Sequence, residues 1–331
     1  MSEPSDRALD RLRRVAQWPD LTGTRYELQG EVARGGMGVV YLARDRELER
    51  DVALKVIAVE AADSETAERL RREARTIARL EHPPIVPVHD VGVLPDGRVF
   101  YAMKLVTGKR LDELVKAGLP LRDRLRLLLR IGEPVAFAHA HGVIHRDLKP
   151  ENVMVGPFGE VLVMDWGVAK HRGDVGAVSG SPAPRAEGAT AHGTIVGTPA
   201  YMAPEQARGD VDQVDARSDV YALGAILYFM LTGRAPGAVR VQPPRDADPS
   251  LPRALEAICL KALATEAADR YPSVGALGDD LGRYLEGERV LAHPEGLAER
   301  AVRFASRYRT PILLVLAYVM MRVVLLLVAR V

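Results

Sequence analysis

The stretch His145-Arg-Asp-Leu-Lys-Pro-Glu-Asn152 decides how the rest of this 331-residue chain is read. Eight residues place two acids, three basic side chains and a carboxamide in one short segment. Thirteen residues beyond Asn152 comes Asp165-Trp-Gly167, after the apolar run Val161-Leu-Val-Met164. Asp165 and Asn152 can reach a metal, Asp147 can orient a hydroxyl, and Lys149 stands beside them. That set is what phosphoryl transfer needs, because the reaction calls for positioning and charge neutralisation more than for covalent help.

Outward from this segment, the bulk numbers narrow the alternatives. Charge is balanced, 45 Lys+Arg against 44 Asp+Glu, so no overall field points to nucleic acid or to an acidic partner. The single cysteine, Cys259, excludes an intramolecular disulfide and a cysteine metal cluster. Its helical surroundings predict a buried thiol acting as a small hydrophobe. Residues 1–25 are polar, lack the apolar core of a secretory signal and form an extension with a short helical periodicity.

Residues 26–106 alternate apolar and polar positions, broken by one helical stretch at 64–80, which predicts a small sheet with a single helix. From 111 onward helices dominate, among them 121–141, 220–232 and 251–264. A Gly/Ala/Ser/Pro tract between 171 and 191 reads as a mobile loop. The segment 291–310 is basic, and 312–329 is an 18-residue run with one charge, Arg322. That length is near the minimum for a membrane span. Its twelve Leu, Ile and Val residues favour insertion by about −5 kcal/mol against a cost of about +3 kcal/mol for the central arginine. Arg300, Arg303, Arg307 and Arg309 precede the run and only Arg330 follows, so the positive-inside bias places 1–310 in the cytoplasm. A helix packed on the protein itself is the alternative reading. The chain ends just past this run, so no external sensor domain is expected.

The motif string resembles the eukaryotic-like Ser/Thr protein kinases of bacteria, particularly the membrane-anchored ones, over about residues 26–286. The resemblance implies an α+β, bilobal protein-kinase fold: a β-rich N-lobe (26–106), a helical C-lobe (107–290), a basic juxtamembrane segment (291–310) and a C-terminal hydrophobic helix (311–331). It implies ATP and Mg²⁺, with Mn²⁺ as an alternative metal, and protein substrates with Ser/Thr acceptors. The apolar run and its basic flank add a single-pass location in the inner membrane, and Arg322 facing a partner helix would make the span a homodimer contact. A pseudokinase scaffold that binds nucleotide without transfer is the rival.

The resemblance also assigns residues. Val32-Ala-Arg-Gly-Gly-Met-Gly-Val-Val-Tyr41 looks like the glycine-rich loop, in which Gly35, Gly36 and Gly38 let backbone amides approach phosphates. Ala33 stands where the family has its first glycine. Lys55 would neutralise the α- and β-phosphates and pair with Glu73. The Lys104 carbonyl and Val106 amide would hold the adenine, with Val40, Ala53 and Met154 around the ring and Met103 behind it. Asp147 would accept the hydroxyl proton, Lys149 would stabilise the transferring phosphoryl, and Asn152 and Asp165 would hold the metal. His145 would pack beneath the loop, and Trp166 stands in place of the usual Phe. Thr198 would bond Asp147 and Lys149. Glu205 would pair with Arg270, and Asp219 would anchor the catalytic loop. Arg146 and Lys170 would form a pocket for phosphate on Thr194, with Thr190 second. After Pro236 about twenty residues are missing relative to typical kinase element lengths, including a helix that commonly docks substrates, and an exposed apolar patch is expected there.

Overall fold

The computed structural model describes residues 18–35, 38–57, 64–166, 170–171, 199–237, 241–294, 296 and 309–328. The first lobe holds strands β1 (Tyr26–Gly35), β2 (Gly38–Asp45) and β3 (Arg50–Ile57), helix α1 (Ser64–Ala78), and strands β4 (Val88–Val93) and β5 (Val99–Lys104). The strands form one antiparallel sheet in the order β1-β2-β3-β5-β4. Alternation explains the layering. One face buries Tyr26, Tyr41, Leu54, Val56, Phe100 and Ala102 together. The other packs Ile57, Val99 and Tyr101 against Leu70 and Ala74 of α1.

The second lobe follows through β6 (Lys109–Arg110), α2 (Leu111–Lys116), α3 (Leu121–Ala140) and β7 (Val143–Ile144). Strands β8 (Val153–Val155) and β9 (Val161–Val163) form a hairpin, with β10 (Lys170–His171) pairing β7. Then come α4 (Pro204–Ala207), α5 (Ala216–Thr232), α6 (Pro244–Ala247), α7 (Arg253–Ala262), α8 (Val274–Leu285) and α9 (Arg309–Val328). Helix α5 is the axis of this lobe. Every residue from Ser218 to Leu231 is buried, the mark of a helix enclosed on all sides. It starts four residues before its apolar run because the Asp215 side chain caps it, accepting from the Arg217 N–H at 2.7 Å. It stops at Gly233, whose φ of 72° is the left-handed cap that glycine supplies without strain. Cys259 is fully buried beside this helix, 3.7 Å from the Gly224 carbonyl, and burial pushes its thiol pKa well up.

Between α5 and α7 the described residues hold only the four-residue α6, in keeping with the shortened segment expected after Pro236. The expected apolar patch does not open. Among the described residues no large hydrophobic of α5 or α7 is exposed. Leu251 is buried in the lobe's core, and Ala235 and Val241 pack against it, so the short connection itself covers the surface.

Helix α9 is 20 residues long, and its described side chains, those of 313–322, are exposed. Among the described residues no helix is long and apolar enough to cross a membrane. The short helix expected near the N-terminus, the 172–191 part of the loop tract, Gly36, Gly167, Thr190, Thr194 and Thr198 lie outside the described residues.

Candidate active site

The sheet register builds the upper wall. Ala33 pairs with Val40, Val40 with Lys55, Lys55 with Tyr101 and Ala53 with Met103. Directly opposed residues in antiparallel strands share a face, so these side chains all project from one side of the sheet. Gly38 has a packing role of its own: a Cβ there would collide with the Val56 carbonyl oxygen. Val32 is exposed, Ala53 is buried, and Val40, Val106 and Met154 are half-buried. Lys104 is exposed, and its backbone N–H is donated to the Pro87 carbonyl at 3.1 Å. Met154 is brought beneath the wall by β8, where it pairs with Arg110 and Leu162.

Lys55 donates to Glu73 of α1 at 2.7 Å and to Asp165 at 3.0 Å. Burial alone would lower its pKa. The Tyr101 oxygen and the Glu73 and Asp165 carboxylates outweigh that and hold the ammonium above the ordinary lysine value. Burial likewise opposes the charge on Asp165, but the Lys55 ammonium, by proximity and by hydrogen bond, brings its pKa below the usual carboxylate value. Asp165 is therefore an anion, and 49% of its side-chain surface is open.

The lower wall is the segment around Asp147. Lys149 Nζ donates to Asp147 Oδ2 at 2.7 Å. Asn152 Nδ2 donates to the Asp147 carbonyl at 2.8 Å and to Asp147 Oδ2 at 3.1 Å. Among the described residues no group bonds Asp147 Oδ1 or Asn152 Oδ1. Both oxygens are acceptors in waiting, one for a hydroxyl and one for a cation. The Met164 N–H donates to the Asn152 carbonyl at 2.8 Å, which ties the β8–β9 hairpin to the turn and sets Asn152 beside the strand that leads to Asp165. An ionised carboxylate and a free carboxamide oxygen are the hard oxygen donors that Mg²⁺ prefers. The residues present fit that ion.

Asp219 of α5 holds this segment from below. Its Oδ2 accepts the His145 N–H at 2.9 Å and its Oδ1 the Arg146 N–H at 2.9 Å. His139 Nε2 lies 2.6 Å from Oδ2. Burial works against the Asp219 charge, but these donors lower its pKa. The carboxylate only accepts, so His139 donates. His145 is fully buried, and burial lowers its pKa. Its Nε2 lies 3.0 Å from the Met164 carbonyl and its Nδ1 takes the Asp147 N–H at 3.3 Å, so the ring is neutral with the proton on Nε2. Arg146 and Asp165 adopt left-handed φ values of 69° and 62°, strained for non-glycine residues and typical of functional sites.

Trp166 fills the pocket expected for a Phe. It is 1% exposed, stacks on His145 with centroids 4.5 Å apart, and donates its indole N–H to the Val163 carbonyl at 3.1 Å. The larger ring is accommodated because its polar edge finds a partner. Glu205 and Arg270 form a buried bidentate pair. Lys170 is placed on β10.

The protein kinase domain family matches residues 26–247. The chain belongs to the protein kinase family. This chain is 38% identical over 289 residues to the serine/threonine-protein kinase PknB of Mycolicibacterium smegmatis, covering 82% of this chain and 44% of that protein. It is 39% identical to PknB of Mycobacterium tuberculosis over 290 residues, with the same coverage. It is also 39% identical to serine/threonine-protein kinase PknA of Mycobacterium tuberculosis, covering 80% of this chain and 62% of that one. The chain thus spans less than half the length of the PknB relatives. The crystal structure of the Mycobacterium tuberculosis PknI kinase domain superposes with a TM-score of 0.61 at 29% identity, covering 78% of this chain and 96% of that one. The bilobal kinase fold is therefore present, with an antiparallel-sheet N-lobe and a helical C-lobe.

Three contacts in this site carry roles that its motifs do not announce. Tyr101 donates to Glu73 at 2.7 Å, His139 supports Asp219, and Gln206 Nε2 donates to the Arg146 carbonyl at 3.0 Å. Only Tyr101 carried a signal: a polar tip at a strand position whose period-2 neighbours, Val99 and Met103, are apolar.

Proposed function

We propose that this protein is a Ser/Thr protein kinase that transfers the γ-phosphate of ATP to protein hydroxyls. The observation that carries the reading is Asp147, whose Oδ2 is held by Lys149 and Asn152 while its Oδ1 has no partner among the described residues. Asp147 orients the acceptor hydroxyl and takes its proton, while Lys149 faces the transferring phosphoryl. Asn152 and Asp165 hold Mg²⁺, or Mn²⁺ in its place, which when bound neutralises phosphate charge. Lys55, fixed by Glu73, meets the α- and β-phosphates. The glycines of the 32–41 segment and the backbone at Lys104 and Val106 receive the nucleotide. A pseudokinase reading is disfavoured because each charged catalytic group is present and mutually placed. The full chain, incubated with labelled Mg-ATP and a protein acceptor, transfers phosphate, and Asp147→Asn lowers the rate by about 10²–10⁴-fold. Wild-type-like transfer by the variant overturns the reading.

Three further parts of the proposal rest on the sequence. Phosphorylation of Thr194, with Thr190 second, switches the enzyme through the Arg146 and Lys170 pocket. Arg146 supports this with a buried Nε that has no partner among the described residues, and a guanidinium is the side chain best matched to a phosphate. Mass spectrometry of an active enzyme with an unmodified loop excludes the switch. Residues 312–329 anchor the kinase in the inner membrane with the catalytic lobes in the cytoplasm. The full chain then resists alkaline extraction while 1–310 does not. The span also brings two copies together, so the full chain autophosphorylates faster than 1–310 at equal concentration.

A further inference from the structure

Glu73 is held by two donors on one oxygen. Its Oε1 accepts from Lys55 Nζ at 2.7 Å and from the Tyr101 phenol at 2.7 Å, while its Oε2 is buried with no partner among the described residues. Tyr101 and Glu73 are 2% and 3% exposed. The arrangement follows from register. Lys55 and Tyr101 are directly opposed on β3 and β5, so both reach the same spot, where α1 lowers Glu73 onto the sheet. Tyr101 also belongs to the small apolar set that seats α1.

The two donors differ in what else they serve. Lys55 already divides itself between Glu73 and Asp165, and nucleotide phosphates would draw on it further. Tyr101 has no other described hydrogen-bond partner. Burial raises its pKa well above the ordinary tyrosine value, so it remains a neutral donor. With Lys55 as its only partner, Glu73 would become an uncompensated buried carboxylate each time the lysine moved, and α1 would be pushed away from the sheet.

We propose that Tyr101 is a positioning residue: its phenol, bonded to Glu73, holds α1 against the sheet in the nucleotide-free protein and so sets Lys55 before ATP arrives. The proposal rests on the kinase reading for its catalytic consequence, but its structural half stands without turnover.

Tyr101→Phe removes one oxygen and leaves the ring. Hydrogen exchange in the full nucleotide-free chain is expected to quicken about ten-fold at the α1 amides, 64–78, while β1, β2 and α5 keep their protection. In the transfer assay Tyr101→Phe lowers kcat about ten-fold and leaves the KM for the protein acceptor unchanged. Added to Glu73→Ala, which leaves the phenol no acceptor there, it has no further effect. Unchanged exchange at α1 overturns the proposal, as does a uniform loss of protection across both lobes. An equal loss of kcat with and without Glu73→Ala also overturns it, by showing that the phenol acts through a group other than Glu73. If wild type transfers no phosphate, the kinase reading fails, and the exchange result still decides the role of Tyr101.

Discussion

Arg270 grips Glu205 with two parallel hydrogen bonds, Nη1 to Oε1 and Nη2 to Oε2, both 2.8 Å long. The pair lies inside the second lobe, and Ser218 Oγ adds a third bond to Glu205 at 2.7 Å. The Arg270 guanidinium also sits 5.1 Å from the Tyr221 ring centroid. Removing one member strands a buried charge. Arg270→Ala is expected to destabilise the protein by about 3–5 kcal/mol, and Arg270→Lys by a smaller but clear amount, since an ammonium cannot match the fork. Denaturant unfolding of the two variants measures this. A loss under roughly 1 kcal/mol for Arg270→Ala, the range of exposed pairs, would contradict the buried geometry.

Stability should fall in two acid steps. Burial lowers the pKa of His145, and burial followed by Arg50 lowers that of His89. Each has a folded pKa below its unfolded value, so the unfolded chain binds more protons as pH drops through about 6.5. Their contribution is full above that pH and is lost below it. Glu205 and Asp219 are depressed carboxylates, since Arg270 and Ser218 for the first and His139 for the second outweigh burial. Their contribution is full above about pH 4 and is lost as pH falls toward their folded values. A urea midpoint that stays flat from pH 7 to pH 5 would argue against a neutral buried His145.

Trp166→Phe should keep activity and lose stability. The smaller ring can still stack on His145, but the Val163 carbonyl loses its donor and a small void remains. The expected cost is about 1–2 kcal/mol. Trp166→Ala removes the stack as well and should reduce transfer along with stability. Thermal unfolding and the transfer assay, run side by side, separate the two effects. Equal stability of wild type and Trp166→Phe would show that the indole N–H contributes nothing.

Asp165→Asn and Asp147→Asn should fail differently. The first removes the anion that Lys55 and a divalent cation share, so Mg-ATP binding weakens together with turnover, by about 100-fold or more in rate. The second leaves the nucleotide side intact, so binding of Mg-ATP survives while transfer is lost. Calorimetric titration with Mg-ATP distinguishes them. Equal nucleotide affinity in both variants would remove the metal role from Asp165.

The polar loop segments were legible in the sequence because their chemistry is local. Asp147, Lys149 and Asn152 lie within six residues, and a turn that short brings them together whatever surrounds it. Helical periodicity gave the helices at 64–80, 121–141, 220–232 and 251–264 to within a few residues, and the period-2 pattern over 26–106 gave the sheet without its strand bounds, because burial of one face demands both patterns. Helix α5 began earlier than its apolar run because a cap is a single side-chain event that periodicity does not register. The pairs far apart in the chain divide into two kinds. Lys55–Glu73 and Glu205–Arg270 were anticipated through family resemblance, not through any spacing rule. Tyr101–Glu73 and His139–Asp219 were fixed only when register and helix packing brought their atoms within hydrogen-bond reach. A residue's type sets which bonds it can make, but which of them form depends on neighbours that only the folded chain supplies.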